Sequence, residues 1–243
     1  MRILTHYPCL PRHRGRRGFT LVELLVAIVI VAVLASLGAV VANSAKLRAN
    51  EVGCMNNLKN IGTALHVYSI DHGGRFPETS HTSDLEFAWV KALEPYLGDY
   101  DEMRVCPADP RRKDRLELGG TSYILNSFIF VPEVNEWGET VGPALNRPSA
   151  IPQPARTMLA FVCSDRVAAG PGNDHTHSNL WSGWNAVCAD ISPTRFGGGD
   201  DPLEPKGRSN YLYADGHVES IRAAELQQEI VAGTNIALPP GLR

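Results

Sequence analysis

The first 18 residues contain no acidic side chain, and the stretch from Leu24 to Val41 contains neither a charge nor a proline. The first absence leaves Arg2, Arg12, Arg14, Arg16 and Arg17 uncompensated, a +5 segment at the start of the chain. The second leaves an apolar run with nothing to break a helix. A basic face is also missing from the rest of the protein. With those five arginines set aside, 18 basic and 26 acidic side chains remain, a net −8. Phosphate binding needs a basic face, so nucleic acid is excluded as a partner. There is no internal repeat, and no nucleophile elbow, zincin helix, phosphate loop or paired-carboxylate motif. Ser164-Asp165 and scattered histidines do not make a catalytic pattern, so the chain does not read as an enzyme. What is present suits a folded protein. Across 243 residues, 44% are hydrophobic and 20% charged, enough for one medium domain plus an anchor.

Residues 18–42 read GFTLVELLVAIVIVAVLASLGAVVA. With Phe19–Val22 included, the apolar stretch reaches about 24 residues, and at ~1.5 Å per residue it crosses a ~30 Å hydrocarbon core. The arginines before it hold that end in the cytoplasm and place the acidic body on the other side. A cleaved secretory signal is one alternative. Its apolar region is normally ~7–15 residues, shorter than here, although small residues do follow at Ala42, Ser44 and Ala45. A plain single-pass anchor is another. Glu23 argues against both, because an ionised carboxylate at membrane depth costs a few kcal/mol and marks a function or a partner.

Arg17-Gly18 followed by Phe19, Thr20, Leu21, Val22, Glu23 and a long aliphatic run resembles the N-terminus of type IV prepilins and type II secretion pseudopilins. The likeness covers Arg17 to about Ala42. It implies that a membrane-embedded prepilin peptidase cuts between Gly18 and Phe19 and N-methylates Phe19. It also implies assembly, with Glu23 of one subunit facing the Phe19 amine of its neighbour and setting the axial register. The implied partners are the peptidase, sister pilin-like subunits, an assembly platform and the membrane. The implied location is the bacterial inner membrane, single-pass, with the N-terminus cytoplasmic and the remaining domain extracytoplasmic.

Beyond the span, Leu47, Cys54, Leu58, Ile61, Leu65 and Tyr68 recur at helical spacing, which predicts one apolar seam. His72-Gly73-Gly74 and Pro77 stop the helix near Asp71. The wording from Cys54 to Pro77 is similar to a bacterial subfamily of pseudopilin-like proteins. That subfamily has a Cys-Pro element, matched by Cys106-Pro107, and a C-terminal motif of His, nine residues, then Asp-Gly. Asp215-Gly216 fits its end, but Pro205 stands where the His belongs, so the motif is incomplete. Asp-Gly between alternating apolar residues is independently a hairpin signal.

The organisation expected is a leader at 1–18, a transmembrane helix at 19–42, its amphipathic continuation at 43–71 and an exported domain at 72–243. The fold class is α+β, a long N-terminal helix packed on a small antiparallel sheet. Strands are expected over Thr121–Val131, Thr157–Cys163, Asn210–Ala214 and His217–Ile221. Short helices are expected over Phe87–Leu97, interrupted near Pro95, and Arg222–Val231. Cys9 lies in the leader. Its removal leaves Cys54, Cys106, Cys163 and Cys188, an even number that suits two disulfides in an oxidising compartment, with three pairings open. His175 and His177 have metal-ligand side chains, but His-x-His alone does not make a site. Asp200 and Asp201 follow three glycines and offer oxygens to calcium, which some pseudopilins bind, without the alternating ligands of a calcium loop. No cofactor is otherwise implied. Trp181 and Trp184 suit either a ligand-binding surface or a core lid. The rival to a fibre subunit is a monomeric tethered binding module that uses the prepilin-like end only for delivery and the loop from Pro171 to Asp201 for capture. A membrane-anchored metallohydrolase built on His175 and His177 is a further alternative.

Overall fold

The computed structural model describes residues 19–86, 88–133, 136–137 and 144–242. The leader, Cys9 and Gly18 lie outside them, as does Phe87. The chain divides into two compact units, Met1–Ser44 and Ala45–Arg243.

Helix α1 spans Leu21–Asp71, 51 residues. It is the one helix among the described residues long and apolar enough to cross a membrane. It stops where Gly73 and Gly74 take positive φ, 63° and 77°, and the Gly74 N–H bonds the Ser69 carbonyl at 2.7 Å. Four strands follow: β1 Tyr123–Leu125, β2 Met158–Val162, β3 Arg208–Tyr213 and β4 Val218–Arg222. They form one antiparallel sheet in the order β1-β2-β3-β4.

Both faces of the sheet are covered. On one face Cys54, Leu58, Ile61 and Leu65 of α1 pack with Tyr123, Leu125, Ala160, Val162 and Leu212. On the other, Ile124, Phe161, Tyr211 and Tyr213 pack with Trp184 and Val187 of α6 (Trp184–Asp190) and Leu226 and Ile230 of α7 (Ala223–Val231). All of β2 is therefore buried. A register shift between Met158 and Ala160 puts the consecutive Leu159 and Ala160 in the same core cluster, which strict alternation would forbid. The chain is α+β, a long helix on a small antiparallel sheet.

Several expectations change in detail. The predicted Thr121–Val131 strand is cut to Tyr123–Leu125, and Ser127–Phe130 coils into α5. Asn126 causes the switch. Its side-chain oxygen accepts from the Phe128 N–H at 3.1 Å, and its amide nitrogen donates to the Met158 and Ala237 carbonyls, both at 2.7 Å. A local cap thus outcompetes the strand ladder. In the Phe87–Leu97 segment, α2 is confined to Trp89–Ala92, and a 3₁₀ turn at Glu94–Tyr96 takes up Pro95. Leu47 does not join the buried seam; it is 39% exposed.

The remaining short helices, α3 Tyr100–Arg104 and α4 Arg112–Leu118, carry a buried polar core. Arg115 is fully buried, and its Nε donates to Asp109 Oδ2 at 2.8 Å. Ser122 Oγ donates to the same oxygen at 2.5 Å, and the Arg111 N–H to the other oxygen at 2.7 Å. Arg104 caps the end of α4, donating to Leu116 O at 3.1 Å and to Arg115 O at 2.9 Å, which also accepts from the Gly120 N–H at 2.9 Å. The Leu116 bond satisfies a carbonyl that a helix C-terminus leaves without a partner.

Candidate processing and assembly site

The first turn of α1 is built from two side chains. Thr20 stands just before the helix and Glu23 is its third residue. Glu23 Oε2 accepts from the Thr20 N–H and from Thr20 Oγ1, both at 2.9 Å, and the Glu23 N–H donates to Thr20 Oγ1 at 3.2 Å. This reciprocal arrangement is a capping box, which satisfies donors that a helix N-terminus otherwise leaves open. The carboxylate also sits at the positive end of the helix dipole. The Thr-x-x-Glu spacing is visible in the sequence, where the apolar run that follows draws attention to Glu23 alone. The sequence analysis places Thr20 in the motif but does not draw its hydrogen bonds with Glu23.

Around and just after this cap the apolar side chains are bare. Phe19, Leu21, Leu24, Ile28, Val31 and Leu34 are each more than half exposed. So long an apolar surface needs lipid or another helix to cover it.

In the unit from Ala45 onward, α1 is tied to the sheet by polar contacts flanking its seam. Asn210 Nδ2 donates to the Glu51 carbonyl at 2.9 Å, and Ser220 Oγ to Glu51 Oε1 at 2.8 Å. His66 Nε2 lies 3.0 Å from the Ala214 carbonyl oxygen. Gly62 abuts Leu212 so closely that an added Cβ would stand 2.8 Å from Leu212 Cδ1.

The four cysteines among the described residues are all buried thiols. Cys54 and Cys106 are brought together in the core cluster on the α1 face of the sheet. Burial drives Cys54 well above the usual thiol range, while the hydrogen bond from Cys54 holds Cys106 below it. Cys163 and Cys188 lie in the cluster on the other sheet face, where burial pushes Cys163 to about 11 and Cys188 to about 12.

The candidate ligand residues are differently employed. His175 Nδ1 is 2.8 Å from Asp174 Oδ1, and Asp174 also accepts from Ser80 Oγ at 2.7 Å. His177 lies 3.6 Å from Asp190, with its ring 5.4 Å from that of His175. Among the described residues no group of three or more His, Cys, Asp or Glu is placed to hold a metal ion. Asp201 Oδ1 accepts from the Leu203 N–H at 2.9 Å, a loop cap. Asp200 borders a shallow cavity of about 340 Å³ with Asp165, Arg166 and Arg195. Ser164 Oγ donates to the Cys188 carbonyl at 2.8 Å rather than to a base. The tryptophans point inward: Trp181 Nε1 donates to Asp190 at 2.8 Å and Trp184 Nε1 to the Leu203 carbonyl at 2.7 Å. Asp215 and Gly216 form the β3–β4 turn, with Gly216 at φ 90°. Burial raises Asp215, but the His217 backbone and ring hydrogen bonds outweigh it and hold the carboxyl low.

No curated protein and no solved structure matches the chain. Residues 13–39 match the prokaryotic N-terminal methylation motif. That motif and the apolar helix fit a membrane-anchored single-pass protein. The matched segment ends within α1 and contains the Thr20–Glu23 cap, and it supports a type IV prepilin- or pseudopilin-like N-terminus for this chain.

Proposed function

We propose that this protein is a non-enzymatic pilin- or pseudopilin-like subunit, cut between Gly18 and Phe19 and assembled through α1 into a type II secretion or type IV pilus-like fibre. The observation that carries the reading is the Thr20–Glu23 cap followed by a bare apolar helix. The cap lets a carboxylate enter the membrane boundary with part of its hydrogen-bonding need met inside its own chain, which lowers the cost of burying it. Among the described residues, both Thr20 bonds fall on Oε2. Oε1 is then the oxygen that accepts from a further donor, and the α-amine created at Phe19 of a neighbouring subunit has the required charge. The arginine-rich leader stays cytoplasmic by its charge, and the domain from residue 72 follows the helix to the extracytoplasmic side. Partners are the prepilin peptidase, sister subunits and an assembly platform.

The test is the mature N-terminus, read by mass spectrometry of the protein isolated from membranes. A chain beginning at N-methylated Phe19 is expected. An intact leader, or a start near Ser44 or Lys46, overturns the reading.

A further inference from the structure

Three contacts bring one stretch of α1 onto the loop after α3. Asn57 Nδ2 donates to the Glu102 carbonyl at 2.8 Å and to the Val105 carbonyl at 3.4 Å. A Cβ added at Gly53 would stand 3.1 Å from Pro107 Cγ. Between these contacts Cys54 and Cys106 lie in one core cluster, both with zero exposure. The other two cysteines are separated from them by the sheet, and Cys163 Sγ is occupied by Arg115 Nη2 and the Ser164 carbonyl, both at 3.5 Å.

We propose that Cys54 and Cys106 are joined by a disulfide that staples the second half of α1 to the Cys-Pro loop. This rests on the export proposed above, because a reducing cytoplasm keeps such thiols apart. The oxidant is a disulfide of the thiol–disulfide exchange class, a carrier protein or oxidised glutathione. The Cys106 thiolate attacks one of its sulfurs and expels the other as a thiolate. Cys54, deprotonated, then attacks Cys106 Sγ, forms the Cys54–Cys106 bond and expels the second oxidant sulfur. Two protons and two electrons leave the cysteines, and the oxidant disulfide is reduced to two thiols. Since both sulfurs are fully buried in the docked state, exchange occurs before α1 settles onto the sheet. The bond then constrains the unfolded chain over the loop from 54 to 106. In a fibre it would keep the domain on its helix when force is applied along α1.

The pairing is tested on the full chain in detergent, refolded with reduced and oxidised glutathione, alkylated and digested. Mass spectrometry should find the Cys54 and Cys106 peptides joined with loss of two hydrogens, and Cys163 and Cys188 alkylated only after denaturation. Reduction should lower Tm by on the order of 10 °C. Cys106→Ser should abolish both the linked peptide and the reductant sensitivity, while Cys188→Ser keeps both. Cys54 and Cys106 alkylated singly after oxidation, or either one linked to Cys9, Cys163 or Cys188, overturns the proposal. Should Cys106→Ser not fold, the peptide map of the unmodified chain still decides. Export is read separately by a compartment-sensitive reporter fused at the C-terminus. An active reporter with both thiols free in isolated membranes defeats the disulfide alone. A silent reporter with the bond forming in vitro defeats the export reading while supporting the pairing.

Discussion

Asp109 shows how much one buried side chain can hold. Its two oxygens accept from Arg115, Ser122 and the Arg111 N–H, and none of the ion pair is exposed. Removing the carboxylate leaves a guanidinium in the core without its counter-charge, and breaking a buried pair this way costs about 3–5 kcal/mol. Asp109→Ala should therefore lower stability by that amount in urea unfolding, with the Cys106 loop loosened beside it. Lys113, paired with Glu117 across 3.8 Å in open solvent, is the control. Lys113→Ala should leave the unfolding midpoint where it was, since exposed pairs contribute little. An equal effect of the two substitutions would mean that the buried pair adds nothing. This network was not legible beforehand. Nothing in the sequence marks Asp109 and Arg115 as buried, because burial of a charge depends on partners from α4, the residue before β1 and the loop after β2, which no local pattern announces.

The elements were legible where periodicity is strong and local. The uninterrupted run to Asp71, the Asp215-Gly216 turn and the β3–β4 hairpin follow from apolar spacing and turn chemistry alone. The switch at Asn126 was not, since its cap depends on carbonyls of Met158 and Ala237, far along the chain. The seam on α1 was read correctly at Cys54, Leu58, Ile61 and Leu65, yet the helix also meets the sheet closely at Gly62, which carries no apolar side chain to signal it. There the helix lies against Leu212 of β3. Gly62→Ala should gain helix propensity of about 1 kcal/mol but lose more to the crowding of a fully buried Leu212. In a Leu212→Ala background the crowding is gone, and the same change should stabilise. The sign reversal, a coupling of about 1 kcal/mol or more in a double-mutant cycle, reports the contact. Additive effects would place Gly62 away from the sheet.

For the molecule as a whole, the question is whether Glu23 acts as a helix cap or as a charge offered to a neighbour, and the two roles separate by substitution. The prepilin-like order from Gly18 to Glu23 was plain in the sequence; that Thr20 shares the carboxylate was not drawn from it. Glutamine at the third helical position can still accept from the Thr20 N–H, so Glu23→Gln retains the box while removing the charge. Glu23→Val removes both. Thr20→Val removes the box and keeps the charge. If charge pairing with the Phe19 amine sets register, all three variants should insert in the membrane and lose the leader. Glu23→Gln and Glu23→Val should both enter fibres at least about tenfold less than the parent, the equivalent of about 1.4 kcal/mol per subunit contact. Thr20→Val should stay close to the parent. Incorporation measured in sheared fibre fractions against membrane-bound protein gives the comparison. Recovery of assembly by Glu23→Gln together with failure of Thr20→Val would reassign the acid to capping alone. The register would then have to come from the apolar face of α1, where Leu24, Ile28 and Val31 stand open to a neighbouring helix.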